Sequence, residues 1–329
     1  MKTSSSLTLP LALLLALLGL TLAAPSPALG KDPKKKKEKE EIPEPSDEER
    51  LEIRQLMGRV GRARHPAKRS QAATQLAAFG PKAAMAVPQL AHVLNDRDAN
   101  AACAAAFALG KVGTHSKPAV KALLRALSSG KSPELKRAAA EGLGLIGPNA
   151  AGAGPALVKA LGSKDPDLRA KAAEALGLLG EKVVKKASKP LRGALSDEET
   201  SVRLNAAIAL VRLGESGEEL VKTLAAAVRK SGRAIVGVRQ AACEALGTLG
   251  KKAEAAVEAL AGAAAEATTI NKALPYAEQR KKQHEAMRQA AVDALGEIGG
   301  DQARASLERL ADVPCLSAAV ERAQRKLAN

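Results

Sequence analysis

Aromatic side chains are almost missing from this chain: among 329 residues only Phe79, Phe107 and Tyr276 carry a ring, and there is no tryptophan. Single strands and flipped bases are held by stacking on such rings, so a base-stacking nucleic-acid site is excluded, and a duplex could be attracted only through charge. A core without large rings must be built from Ala, Leu, Val and Ile. It must draw its stability from many thin interfaces rather than a few large anchors. Histidine is limited to His65, His92, His115 and His284. These are spread along the chain, whereas metal sites need three or four converging ligands, so neither a metal nor another cofactor is expected. No cysteine precedes Cys103 and no arginine pair precedes the N-terminal apolar run, which excludes a lipid-modified N-terminal cysteine and a twin-arginine export signal.

The N-terminus carries three kinds of sequence in succession. Lys2 supplies a short positive start, Leu7 to Leu22 an apolar run, and Ala28-Leu29-Gly30 places small residues before a cut at Lys31. This is the pattern of a signal peptide over residues 1–30, and it predicts a periplasmic or extracellular protein. The apolar stretch to Ala24 is nearly long enough to span a bilayer, so an uncleaved membrane anchor is the alternative. Residues 31–45, KDPKKKKEKEEIPEP, have almost no apolar side chains and are expected to form a disordered charged linker. From Lys31 to Arg50 there are seven Lys or Arg and eight Asp or Glu, so the net charge of +16 lies in the remainder of 46–329, beyond Arg50.

That remainder is repetitive. The segment LRAKAAEALGLLG at 168–180 recurs with its first glycine slot at Ala77, Gly110, Gly144, Gly177, Val211, Gly247 and Gly296, at spacings of 33, 34, 33, 34, 36 and 49 residues. A period of this length with helical patterning marks a solenoid, in which each unit buries its apolar face only by stacking on its neighbours. Within one unit, Asp165-Pro166-Asp167 starts a helix, and Leu168, Ala172, Ala173, Leu176 and Leu179 form one apolar stripe. Gly180 ends it in a left-handed cap. A second helix follows, with Pro190, like Pro88, Pro118 and Pro155, expected near its start, where the missing N–H costs little. Ser46 and Glu49 form a capping box on an end helix carrying Leu51, Leu56, Met57 and Val60. The helix Leu316 to Leu327, with Val320 and Leu327 apolar, is expected to close the other end. Cys103 and Cys243 are four repeats apart, roughly 35 Å at about 9 Å per helix layer. A disulfide needs Cα atoms within about 7 Å, so these and Cys315 are expected to be packing residues.

The copies SVRLNAAIALVRLG at 201–214, GVRQAACEALGTLG at 237–250 and AMRQAAVDALGEIG at 286–299 resemble the HEAT repeat, in particular its short, alanine-rich, bilin-lyase-type form. The resemblance covers most of 46–329. It implies an all-α, right-handed α-solenoid of about seven helical-hairpin repeats with end caps. It also implies a choice of functions, because scaffolds, bilin lyases, hydroxylases and DNA glycosylases share the repeat. HEAT hydroxylases hold two irons with several His-Glu pairs, and this chain has one, His284-Glu285, read as a lone surface histidine. No residue set of the lyases can be identified.

Two groups of residues remain as binding candidates. The expected second helices are dense in cations: Lys121, Arg125, Lys159, Lys182, Lys185, Lys186, Lys189, Arg192, Lys222, Arg229 and Lys230. The resemblance places second helices on the concave side, which would make an electropositive groove; dispersal for solubility is the alternative. The stretch from Gly250 to Arg288 is longer than a normal repeat and holds Tyr276, Arg280, Lys281, Lys282 and His284. It reads either as a projecting loop at a binding face or as a lengthened helix pair. The recurring base eight residues before the glycine slot (Arg69, Lys136, Arg169, Arg203, Arg239, Arg288) reads as structural, paired with an acid four residues earlier, as in Asp165 with Arg169 and Glu199 with Arg203. The function expected is an exported, basic interaction scaffold for an acidic protein surface or other polyanion, with a HEAT-type lyase or hydroxylase as the alternative.

Overall fold

The computed structural model describes residues 44–129, 132–229, 236–266, 277–313 and 316–328. The predicted signal peptide, most of the linker, Lys230, Tyr276 and Cys315 lie outside the described residues. The described residues contain helices and turns and no strand, and form two compact units, up to Ala160 and from Leu161.

The first unit opens with the helix Asp47–Arg62, and its capping box is present: the Glu49 N–H donates to Ser46 Oγ (3.2 Å) and the Ser46 N–H to Glu49 Oε2 (2.9 Å). Three hairpins follow. Their first helices are Pro66–Ala78, Ala99–Val112 and Pro133–Ile146, and their second helices Val87–Val93, Lys117–Ser129 and Gly154–Ala160. The second unit holds four more, with first helices Pro166–Leu178, Thr200–Arg212, Val236–Leu249 and Ala277–Ile298, and second helices Val184–Ala194, Glu218–Arg229, Val257–Ala265 and Gly300–Leu310. The helix Ser317–Ala328 ends it. In each unit first helices pack on first helices, and a second helix packs on the first helix of the hairpin that follows it.

Leu168, Ala172, Ala173, Leu176 and Leu179 are all buried, as the stripe requires. The first glycine slot has a steric cause: a Cβ on Gly110 would stand 2.8 Å from Gly142 Cα, one on Gly177 2.7 Å from Ala209 Cα, and one on Gly296 2.8 Å from Ala323 Cβ. Neighbouring first helices meet backbone to backbone at these points, which is how alanine and glycine replace large side chains as the packing unit. The second glycine of the motif also has a backbone reason. Gly180 has φ 73° and ψ −163°, a conformation open to glycine but outside the left-handed helical region, so the expected cap is a different, extended turn.

Three further points bear on the expected helices. Pro88, Pro118 and Pro155 stand at the second position of their helices, but Pro190 lies inside Val184–Ala194, whose start precedes it by six residues. On the opening helix Leu56 and Val60 are buried together with Ile53, whereas Leu51 is 60% exposed. The long Gly250–Arg288 interval contains a 3-10 segment Gly250–Ala256, the helix Val257–Ala265 and then a 22-residue helix, Ala277–Ile298, that extends the usual first helix at its N-terminal end. The described part of the extra length is therefore helix. Cys103 and Cys243 are free thiols, and burial pushes Cys243 up to about 12.

Candidate binding surface

The recurring arginines belong to the scaffold, and their partners differ from those expected. Arg169 Nε and Nη2 donate to Asp197 Oδ2 and Oδ1, both at 2.8 Å, while Nη1 donates to the Ser163 carbonyl at 3.0 Å. Arg69 does the same with Asp96 (2.6 and 2.7 Å) and the Ala63 carbonyl (2.7 Å). The carboxylate therefore comes from the far end of the arginine's own hairpin, 28 and 27 residues later. Asp165 caps its helix, accepting from the Asp167 N–H, and Arg203 donates to the carbonyls of Asp197 and Glu198. In this arrangement one guanidinium satisfies free carbonyls and fixes the loop that starts the next hairpin. Arg169, Arg239 and Arg288 are buried, and the expectation that Arg169 pairs with an acid four residues earlier is corrected to Asp197. Hydrogen bonding from Arg169 and Arg69 holds the carboxyls of Asp197 and Asp96 below their ordinary range. Neither acid was singled out in the sequence. Each stands two residues before the start of the next repeat (Asp96 before Asp98, Asp197 before Glu199), and that spacing is the signal that could have found them.

A variant of this arrangement surrounds His284. Arg239 donates to Glu266 Oε2 at 2.6 Å and to the Val228 carbonyl at 2.9 Å, Arg288 donates to the Ala264 carbonyl at 2.7 Å, and His284 Nε2 lies 3.8 Å from Glu266 Oε1. His284 is only 15% exposed, not a surface residue. Burial is the main cause that lowers its pKa, and the two arginines add to it against the pull of Glu266. Among the described residues no group of three or more His, Cys, Asp and Glu is placed to hold a metal ion.

The basic candidates are outside this scaffold and divide by unit. In the first unit Lys121 and Arg125 share one exposed face of Lys117–Ser129, and Lys159 is exposed on Gly154–Ala160. In the second, Lys185, Lys186 and Lys189 project from one side of Val184–Ala194, opposite the buried Ala187 and Leu191. Lys182 is exposed just before them, and Arg229 ends its helix exposed. Three candidates already have carboxylate partners: Arg192 with Glu215 (2.8 Å), Lys222 with Glu218 (2.7 Å) and Lys281 with Glu285 (4.0 Å). The unpaired cations on Val184–Ala194 are thus Lys185, Lys186 and Lys189, about one helical turn in extent.

The family profile for HEAT repeats matches the chain over 53–144, 120–199, 154–236 and 188–274, and the profile for the PBS lyase HEAT-like repeat matches 287–312. No curated protein matches the chain. Solved structures similar to it include the complex of CpcE and CpcF of phycocyanin lyase from Nostoc sp. PCC7120, with a TM-score of 0.53 and 21% identity over 86% of this chain and 98% of that one. The Escherichia coli protein YibA gives a TM-score of 0.53 and 17% identity over 88% of this chain and 99% of that one. The karyopherin Kap121p, bound to the extreme C-terminus of the phosphatase Cdc14p, gives 0.53 and 13% over 85% of this chain and 33% of the karyopherin.

Proposed function

Because the chain belongs to the HEAT-repeat family, we propose that it is an exported scaffold that binds an acidic protein surface through the cations of its second helices. The observation that carries this reading is the face of Val184–Ala194 on which Lys185, Lys186 and Lys189 stand exposed without a carboxylate partner, in a chain that neutralises many of its other cations locally. Uncompensated cations at one helical turn raise the local anion concentration and speed encounter with an acidic partner. Proteins of similar fold include one assembled from two subunits and one bound to a peptide end, which fits a surface that takes a protein chain. The signal-like N-terminus supports export.

The test is retention on immobilised poly-L-glutamate. The full chain is expected to bind at low salt and to elute as salt rises, because the Debye length shrinks below about 10 Å above 0.1 M. The triple variant Lys185→Glu, Lys186→Glu, Lys189→Glu should elute much earlier with unchanged helical circular dichroism. Equal retention would overturn the reading. The lyase-type repeat at 287–312 favours a catalytic alternative, and a new absorption band on titration with a free bilin would replace the scaffold reading with that one.

A further inference from the structure

Between Ile53 and Asn95 the sequence contains no Asp or Glu, yet it contains Arg54, Arg59, Arg62, Arg64, Lys68, Arg69 and Lys82. Two of these are neutralised within the first unit: Arg69 by Asp96, and Lys82 by Glu49 at 2.8 Å. The other five are exposed, and none has an ion-pair partner among the described residues. They run from Arg54, midway along the opening helix Asp47–Arg62, through the turn that follows it to Lys68 in the first turn of Pro66–Ala78. The buried face of the helix is Ile53, Leu56 and Val60. Its outer face carries Arg54, Gln55, Gly58, Arg59 and Arg62, and a shallow open groove there is lined by Gln55, Gly58, Arg59, Arg62 and Ala63. Gly58 and Gly61 have nothing within 4 Å of where a Cβ would stand, so neither packing nor backbone strain accounts for glycine there. What glycine provides is a flat surface between the arginines.

We infer that this arginine cluster is a seat for an anionic lipid surface. The groove offers cations, a glutamine and small residues on an open face, with no enclosed pocket to grip a protein side chain. A plane of lipid phosphates asks for nothing more than several cations on one open face. The chain itself directs the choice further. The residues before Glu44 include the apolar run Leu7–Ala24, and the stretch from Ala24 to Glu44 reaches at most about 70 Å fully extended. Whenever that run occupies a bilayer, the cluster is held within reach of its headgroups. This surface is in the first unit and shares no residue with Lys185, Lys186 and Lys189, so the two proposals stand or fall separately.

The experiment is co-sedimentation of the full chain with vesicles of phosphatidylcholine alone and of phosphatidylcholine with phosphatidylglycerol. Binding through the apolar run is common to every variant and is read on the neutral vesicles. Each cation near an anionic leaflet contributes about fivefold to partitioning. The variant Arg54→Gln, Arg59→Gln, Arg62→Gln should therefore lose roughly a hundredfold of the preference for anionic over neutral vesicles. The corresponding triple lysine variant should keep most of it, since the attraction is one of charge and not of guanidinium geometry. Helical circular dichroism of all three proteins checks the fold. The inference is overturned if wild type shows no anionic preference, if the glutamine variant retains it, if the lysine variant loses it, or if these arginines hold poly-L-glutamate or duplex DNA while anionic vesicles are ignored.

Discussion

Arg169 and Asp197, at opposite ends of one hairpin, meet through two parallel hydrogen bonds of 2.8 Å, with side chains 10% and 14% exposed. Removing the guanidinium leaves a carboxylate with little water and strips donors from the Ser163 carbonyl. Arg169→Ala is expected to cost about 1.5–3 kcal/mol, the range for hydrogen bonds to charged groups, well above the value of an exposed pair. Leu176→Ala, at a fully buried position, should cost about 2–5 kcal/mol through lost burial and a cavity. Chemical denaturation of the two variants measures both.

The same pair sets an acid limit. Arg169 holds the Asp197 carboxyl below its ordinary 3.8, so the unfolded chain takes up this proton more readily than the folded one. The stabilisation is complete above that ordinary value and is lost as pH falls through the lower folded one. Denaturation midpoints of wild type and Arg169→Ala should therefore converge in acid, and a gap that stays constant down to about pH 2 would contradict the assignment.

Glycine is required at some positions of this chain and merely present at others. A Cβ on Gly177 would press on Ala209 Cα at 2.7 Å and on Ala209 Cβ at 2.9 Å, whereas one on Gly193 meets nothing within 4 Å. Gly177→Ala should destabilise by about 1–3 kcal/mol through overpacking between backbones. Gly193→Ala, within the helix Val184–Ala194, should stabilise by about 0.5–1 kcal/mol by reducing the freedom of the unfolded chain. Thermal melts of the two variants should move in opposite directions.

The hairpin order could be read from the sequence because one stripe, such as Leu168, Ala172, Ala173 and Leu176, recurs at helical spacing and each copy buries the same face. The capping box at Ser46 and Glu49 was legible for a similar reason, since both partners lie within one turn. The pairing of Arg169 with Asp197 was not, because its partner is local only after the hairpin has folded, and a nearer acid, Asp165, competed for the assignment. Leu51 misled in the opposite way: its hydrophobicity suggested burial, but it falls off the Ile53, Leu56 and Val60 stripe and faces outward. The cations of the candidate surface were all visible as residues. Which of them remain free depends on carboxylates from other elements, such as Glu215 beside Arg192, and no spacing rule within a single helix reveals that.

His284 was set aside in the sequence as an isolated surface side chain, and its position instead predicts a second pH dependence near neutrality. It is partly buried beside Glu266, with Arg239 and Arg288 close by, and its pKa is lowered from 6.5, chiefly by the loss of water. A base with a depressed folded pKa is protonated first in the unfolded chain. As pH falls below 6.5 the unfolded state gains the proton alone, stability declines through the window down to the folded value, and beneath that value the penalty is constant. Glu266, held low mainly by its hydrogen bond from Arg239, stays charged across this window. Wild type should therefore lose more stability than His284→Gln between about pH 7.5 and about pH 5, because glutamine carries no proton to gain. Denaturant midpoints at the two pH values read the difference, and parallel loss in both proteins would show that His284 does not titrate in a desolvated site.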